Sequence, residues 1–261
     1  MKTGMKPFHT MSSFLRANKT YGQHFLHNIG VIGRIVEAGK IQPGDRVLEI
    51  GPGTGMLTRA LLEAGAHVTA IEKDPRMLTA LAPLQAQYPA LTLREGDALS
   101  LDLQLLGLEA FHYKVIANIP YYITGHLMRD MLYSWPAPSR AVLMVQAEVA
   151  SRMSAHEPDM NMLALATQLV SDVETIMKVS PNSFQPPPDV DSAVIALDPR
   201  PSDIALRTSW EQVLKLAKGA FAQKRKKLSN TIDRELLERA GIDPDLRPQH
   251  VSVALWRNLA E

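Results

Sequence analysis

Apolar and polar positions along the chain follow two alternating rhythms. Short runs rich in β-branched residues, RVLEI at 46–50, HVTAIE at 67–72, LTLRE at 91–95, YKVIAN at 113–118 and RAVLMVQ at 140–146, read as strands. Longer stretches of helical period follow four of them: MLTRALLEAG, PRMLTALAPLQAQY, TGHLMRDMLYSW and AEVASRM, while LTLRE leads into a loop. This βαβ succession predicts a mostly parallel sheet with helices on both faces. Beyond it NMLALATQLV reads as a helix, and VETIMKV and SAVIAL read as two strands separated by the proline-rich loop SPNSFQPPPDVD. Two strands joined without a helix predict an antiparallel pair at one edge of the sheet.

The pattern changes after DPRPSD. SWEQVLKLAKGAFAQ, KKLSNTIDRELLERAG and HVSVALWRNLA all carry helical period with no strand between them. Two prolines near Pro199 to Asp203 interrupt both kinds of regular structure and mark a boundary there. The expected organisation is an N-terminal arm at 1–20, an α/β domain at 21–200 and a small all-α domain at 201–261.

Composition narrows the class without deciding the function. The 261 residues are 46% hydrophobic, enough to bury a real core, and 28 basic residues face 27 acidic ones. A nucleic-acid signal must therefore come from local clusters. Lys2, Lys6, Arg16, Lys19 and Arg34 meet no acid as far as Val36, and KGAFAQKRKKLSN again carries bases alone. Each cluster on its own is equally well read as a solvated surface. The absence of cysteine excludes disulfides, a thiolate nucleophile and cysteine-held metal, and no apolar run is long enough to span a bilayer. A soluble, cytoplasmic protein with no metal and no membrane partner is expected. Monomer is the expected state, because no large apolar stripe is left over once the core helices are assigned.

Chemistry enters with VLEIGPGTGMLT. Gly51, Gly53 and Gly55 stand between the first strand and a helix, where glycines permit a tight turn and close approach of a ligand to the backbone. Glu72 ends the second strand where an acid accepts hydrogen bonds from ribose hydroxyls, and Asp97 of GDA follows the third. In an open α/β sheet these ends, with Asn118, converge on one crevice. A nicotinamide dinucleotide and S-adenosylmethionine both fit so far. Met56 at the sixth position of GPGTGM departs from the dinucleotide turn and favours the second.

The stretch NIPYYIT at 118–124 favours it further. An adenine N6 amine is a poor nucleophile, and acceptors at its two protons help it become tetrahedral as it attacks a methyl group. The Asn118 side chain and the Ile119 carbonyl supply two such acceptors, Pro120 fixes the backbone, and Tyr121 offers a flat face for an extruded base. A cap at Asn118 with both tyrosines in the core is the structural alternative. Tyr122 is expected to pack in the core, and Thr124 to cap the next helix.

Together these residues resemble the ribosomal RNA small-subunit adenine N6,N6-dimethyltransferases of the KsgA/RsmA type. GQHFL, EIGPGTGMLT, IEKD, GDA, NIPY, FQPPPDVDSAVI and AFAQKRKKLSNTI carry the likeness over almost the whole chain. The resemblance implies a Rossmann-like S-adenosylmethionine-dependent methyltransferase fold, seven strands with an antiparallel edge pair, and a helical C-terminal domain that contacts RNA. It implies Gln23, His24 and Leu26 at the methionine end of the cofactor, Gly51, Gly53, Gly55 and Glu72 along it, and Asp97 at its adenine. It places Asn118 and Tyr121 in the catalytic motif and Phe184 against the target base. His24 departs from the commoner Asn. The implied product is a pair of adjacent dimethyladenosines near the 3′ end of 16S ribosomal RNA, formed on the assembling small ribosomal subunit. Lys224, Arg225, Lys226, Lys227 and the N-terminal arm then become phosphate contacts. A catalytically dispensable assembly factor, a large-subunit RNA methyltransferase and a nicotinamide oxidoreductase are the alternatives.

Overall fold

The computed structural model describes residues 17–18, 21–100 and 103–260, so the expected arm at 1–20 lies, apart from Ala17 and Asn18, outside the described residues. A two-residue strand β1 (Phe25–Leu26) opens the described fold, followed by helix α1 (Ile29–Ala38). The βαβ succession then runs β2 (Arg46–Ile50), α2 (Met56–Glu63), β3 (His67–Glu72), α3 (Pro75–Gln87), β4 (Leu91–Glu95), β5 (Lys114–Asn118), α4 (Thr124–Tyr133), β6 (Arg140–Gln146) and α5 (Ala147–Met153). After it come α6 (Met162–Gln168), β7 (Ser171–Val179), the short β8 (Phe184–Gln185) and β9 (Ser192–Pro199). Helices α7 (Pro201–Ala205), α8 (Arg207–Ala222), α9 (Arg234–Arg239) and α10 (Val253–Arg257) complete the chain.

The seven-stranded sheet has the order β4-β3-β2-β5-β6-β9-β7. Strands β4 to β6 are parallel, while β9 runs antiparallel to both β6 and β7, which gives the expected antiparallel edge. Alternation along the strands sorts the core into two layers. Val47, Val68, Ile116 and Val194 pack with α1, α2 and α3, whereas Leu48, Val115, Leu143 and Ile195 pack with α4, α5, α6 and the C-terminal helices. The strand order reverses between β2 and β5, and a crevice opens at the carboxyl ends of strands at such a switch point.

Two features differ from the sequence expectation. Helix α1 was hidden by Gly30 and Gly33, yet Asn28 caps it by accepting from the Gly30 and Val31 amides, and Ile32 and Ile35 are buried. KKLSNTIDRELLERAG is not one helix: a turn covers Gln223 to Lys226, a 3₁₀ turn spans Leu228–Asn230, and α9 begins only where Asp233 caps the Leu236 amide. Near Pro199 to Asp203, where the domain boundary is expected, the chain is tightly packed. Buried Asp203 accepts from Arg200 and Arg257, Arg200 also pairs with Asp172, and Trp210 and Trp256 share one cluster with Leu165 and Leu169 of the sheet domain. Among the described residues no helix is long and apolar enough to cross a membrane.

Candidate functional site

Elements meeting at the switch point enclose about 980 Å³ of empty space, open solvent included. Gly51 and Gly53 follow β2, Glu72 ends β3, Asp97 follows β4 and Asn118 ends β5, and all five line this crevice. Gln23, His24, Leu26, Ile119, Pro120 and Tyr121 line it too. The topology thus gathers residues that lie far apart along the chain.

The glycines do different work. Gly51 has φ +69°, and the nearest atoms to a Cβ there would be Pro120 Cδ at 3.8 Å and the Asn118 carbonyl at 3.9 Å, so a ligand has room. Gly53 has φ +53° and lies under the Phe25 ring, and its amide donates to Glu72 Oε2 at 3.2 Å. Gly55 is not among the lining residues. It caps α2 at φ +78°, where a Cβ would come within 2.5 Å of Leu81 Cδ2, so this position serves the contact with α3 rather than a ligand.

The carboxylates are held individually. Glu72 is buried, accepts from the Gly53 and Asp74 amides, and burial pushes its pKa up. Asp97 accepts from Lys73 Nζ at 2.8 Å and from the Leu99 amide at 3.0 Å, and the Lys73 bond leads the effects that lower its pKa. Glu49, on β2, also lines the crevice. It is 1% exposed, its Oε2 has no hydrogen-bond partner among the described residues, and burial, helped by the charge of Glu72, pushes its pKa up to about 8.

Gln23 Nε2 donates to Asp74 Oδ2 at 3.0 Å and its Oε1 accepts from the Asn18 amide at 2.8 Å, so both ends of this carboxamide are engaged in holding the segment over the crevice. His24 Nδ1 lies 2.9 Å from the Pro186 carbonyl, which makes Nδ1 the donor in that bond. The same residue's carbonyl accepts from Asn118 Nδ2 at 3.2 Å. That bond fixes the carboxamide's orientation and leaves Asn118 Oδ1 as the acceptor.

Ile119 buries its side chain in the core and can offer the crevice only its main chain; its amide donates to the Met144 carbonyl. Pro120 leads into a 3₁₀ turn at Tyr121–Ile123. The Tyr121 hydroxyl lies 2.6 Å from Ser192 Oγ, burial raises its pKa, and its ring stacks with His24 at a centroid distance of 6.0 Å. A neutral, anchored phenol is a surface, not a base.

Other expectations fare differently. Phe184 is 2% exposed, pairs with Leu26 across β1 and β8, and does not line the crevice, so it has no free face for a base. Tyr122 is not in the core: it is 57% exposed and lines the crevice. Thr124 begins α4 without capping it by a side-chain bond. Lys224, Arg225, Lys226 and Lys227 are exposed on a turn, and Lys227 pairs with Asp245 at 3.1 Å. Arg34, counted with the basic arm, pairs with Glu37 on α1. Sequence reading missed Phe25, Glu49 and Lys73 in the crevice. Of these, Lys73 was discoverable, since it follows the ribose acid directly in IEKD.

Two acids at successive strand ends, a glycine turn with open space at Gly51 and an apolar rim suit a ligand that carries adenosine. An oriented carboxamide beside it suits an amine to be methylated.

Comparison with known proteins gives the same picture. A family model described as ribosomal RNA adenine dimethylase matches residues 14–260. A ribosomal RNA small subunit methyltransferase A from a Synechococcus species is 42% identical, with 94% of each chain covered. The protein of that name from Thermosynechococcus vestitus is 40% identical over 95% of this chain and 97% of its own. Among solved structures, a dimethyladenosine transferase from Plasmodium falciparum superposes with a TM-score of 0.78 at 28% identity, covering 90% of this chain and 96% of that one. The 23S rRNA methyltransferase ErmE superposes with a TM-score of 0.74 at 27% identity, covering 90% and 98%.

Proposed function

The chain belongs to the ribosomal RNA adenine dimethylase family, and from that premise we propose how its crevice carries out methyl transfer and on which RNA. The enzyme is an S-adenosylmethionine-dependent ribosomal RNA adenine dimethyltransferase. Its substrate is the N6 amine of two adjacent adenosines near the 3′ end of small-subunit ribosomal RNA, presented on the assembling subunit in the cytoplasm, and it acts as a monomer. The curated relatives at about 40% identity support the small subunit over the large, to which the 27% identical ErmE is assigned.

S-adenosylmethionine supplies an activated methyl on a sulfonium. Glu72 would accept from the ribose hydroxyls, Asp97 from the adenine amine, and Gly51 would let the ligand lie against the backbone. The target base leaves its helix and stacks on Tyr121, because the amine cannot reach Asn118 from inside a duplex. Asn118 Oδ1 and the Ile119 carbonyl accept the two N6 protons. This would turn the nitrogen lone pair toward the methyl that the sulfonium supplies, and the surplus proton would pass to solvent. No side-chain base is required, which agrees with the neutral Tyr121 hydroxyl.

The bond from Asn118 Nδ2 to the His24 carbonyl carries this reading, because it presets the acceptor before substrate arrives. Incubation with labelled S-adenosylmethionine and small subunits lacking the modification should place dimethyladenosine in small-subunit RNA. Label confined to large-subunit RNA, or none, defeats the assignment.

A further inference from the structure

Tyr122 is the part of NIPYYIT that the methyl transfer leaves unused. Consecutive residues of a 3₁₀ turn point about 120° apart, and the two tyrosines diverge accordingly. Tyr121 turns inward to Ser192 and His24, while Tyr122 lies against Gly22, where a Cβ would meet its Cδ1 at 3.2 Å and its Cε1 at 3.4 Å. Gly22, at φ +58°, leaves room for that ring edge. The rest of the ring stays open, with 57% of the residue exposed at the rim of the crevice. A half-open aromatic ring at the mouth of a crevice offers a flat apolar face to a ligand.

We propose that Tyr122 is a stacking platform for the nucleobase adjacent to the target adenosine in the RNA strand. The proposal rests on the reading that the crevice methylates RNA. A strand that turns one base into the crevice strips its neighbour of a stacking partner, and that neighbour arrives at the rim from the solvent side. Tyr121 and Tyr122, adjacent in the chain, then serve adjacent nucleotides, one inside and one at the mouth. A cofactor held by Glu72 and the glycine loop would sit within the crevice, whereas more than half of Tyr122 is exposed to the solvent from which a polynucleotide comes. Stacking is tolerant of base identity, so the platform serves whichever of two neighbouring adenosines is outside.

The test separates RNA binding from cofactor binding. KM and kcat are measured on small ribosomal subunits lacking the modification, and S-adenosylhomocysteine affinity by calorimetry, for wild type, Tyr122→Ala, Tyr122→Leu and Tyr122→Phe. Loss of the platform should raise KM for the subunit by roughly 10- to 100-fold in the Ala and Leu variants, with kcat and S-adenosylhomocysteine affinity near wild type. Tyr122→Phe, which keeps the ring, should behave like wild type. An unchanged KM in Tyr122→Ala overturns the proposal. So does a parallel loss of S-adenosylhomocysteine affinity, which would make the ring a cofactor cover, or rescue by Leu equal to that by Phe. Wild type that transfers no methyl to the subunit would instead remove the substrate reading on which the platform depends.

Discussion

Replacing Gly55 by Ala tests whether the third glycine of GPGTG serves the ligand or the scaffold. The new Cβ must adopt φ +78°, a left-handed conformation that costs an L-residue about 1–2 kcal/mol. It also meets Leu81 Cδ2 at 2.5 Å and Leu84 Cδ2 at 3.3 Å, and both leucines are buried, so neither can swing away freely. Overpacking of this kind adds about 1–3 kcal/mol, for a total loss of about 2–5 kcal/mol. In a chain of this size each kcal/mol moves Tm by about 2–4 °C, so thermal unfolding should begin roughly 4–20 °C earlier. S-adenosylhomocysteine at a hundredfold excess over its Kd should still stabilise the variant by about 2.7 kcal/mol, as it does wild type. Gly51→Ala is the counterpart. Its Cβ finds nothing closer than 3.8 Å, so only backbone strain should lower Tm while ligand affinity falls. A Gly55→Ala protein with unchanged Tm and weakened ligand binding would refute the division between the two glycines.

Asn118→Ala should lower kcat by about 100-fold or more, the usual loss for a preset hydrogen-bonding group in a transition state, with S-adenosylhomocysteine affinity nearly unchanged in calorimetry; a proportional loss of affinity would make Asn118 a binding residue. Glu49, with its folded pKa raised to about 8, keeps its proton where the unfolded chain loses it, so the stability it contributes is whole below about pH 4.5 and is lost as pH rises toward 8. Glu49→Gln should therefore show a shallower fall of unfolding free energy between pH 5 and 8 than wild type in denaturant titrations, and equal slopes would contradict the buried neutral acid. Replacing Lys224, Arg225, Lys226 and Lys227 together by Ala should weaken RNA binding and flatten its dependence on salt, by about one unit of log–log slope for each phosphate no longer neutralised. Because Lys227 pairs with Asp245, Lys227→Ala alone should contribute least.

Much of the sheet was legible because buried parallel strands write themselves as short apolar runs, as β2, β3, β5 and β6 do, while β4 at the edge was legible from its alternation. The crevice followed from chain order, since Gly51, Glu72, Asp97 and Asn118 each stand at a strand end. What sequence could not show is the direction in which neighbours point. Gly53 and Gly55 look equivalent in GPGTG, yet one lies under Phe25 in the crevice and the other under Leu81 in the core. Tyr121 and Tyr122 look interchangeable, and Phe184 looks available, until the turn at Tyr121–Ile123 and the pairing of β1 with β8 decide which rings face solvent. The C-terminal helices broke up for a local reason: Asp233 and Ser252 make better starts than continuations, and a periodicity count does not register a cap.

The pairing of β1 with β8 also orders events in the life of the chain. His24 reaches Pro186 and Asn28 reaches Ser183 across 162 and 155 positions, far longer spans than those joining neighbouring parallel strands. A nascent polypeptide emerging from its own ribosome can assemble β2 to β6 and the bare crevice first. The segment carrying Gln23 and His24 can reach Asp74 and Asn118 by then, but it lacks its strand partner until the proline-rich loop has been synthesised. Closure of such a distant pair pays its chain entropy late. A competent methyl-donor pocket is consequently a property the chain acquires only after about seven-tenths of its length has been translated.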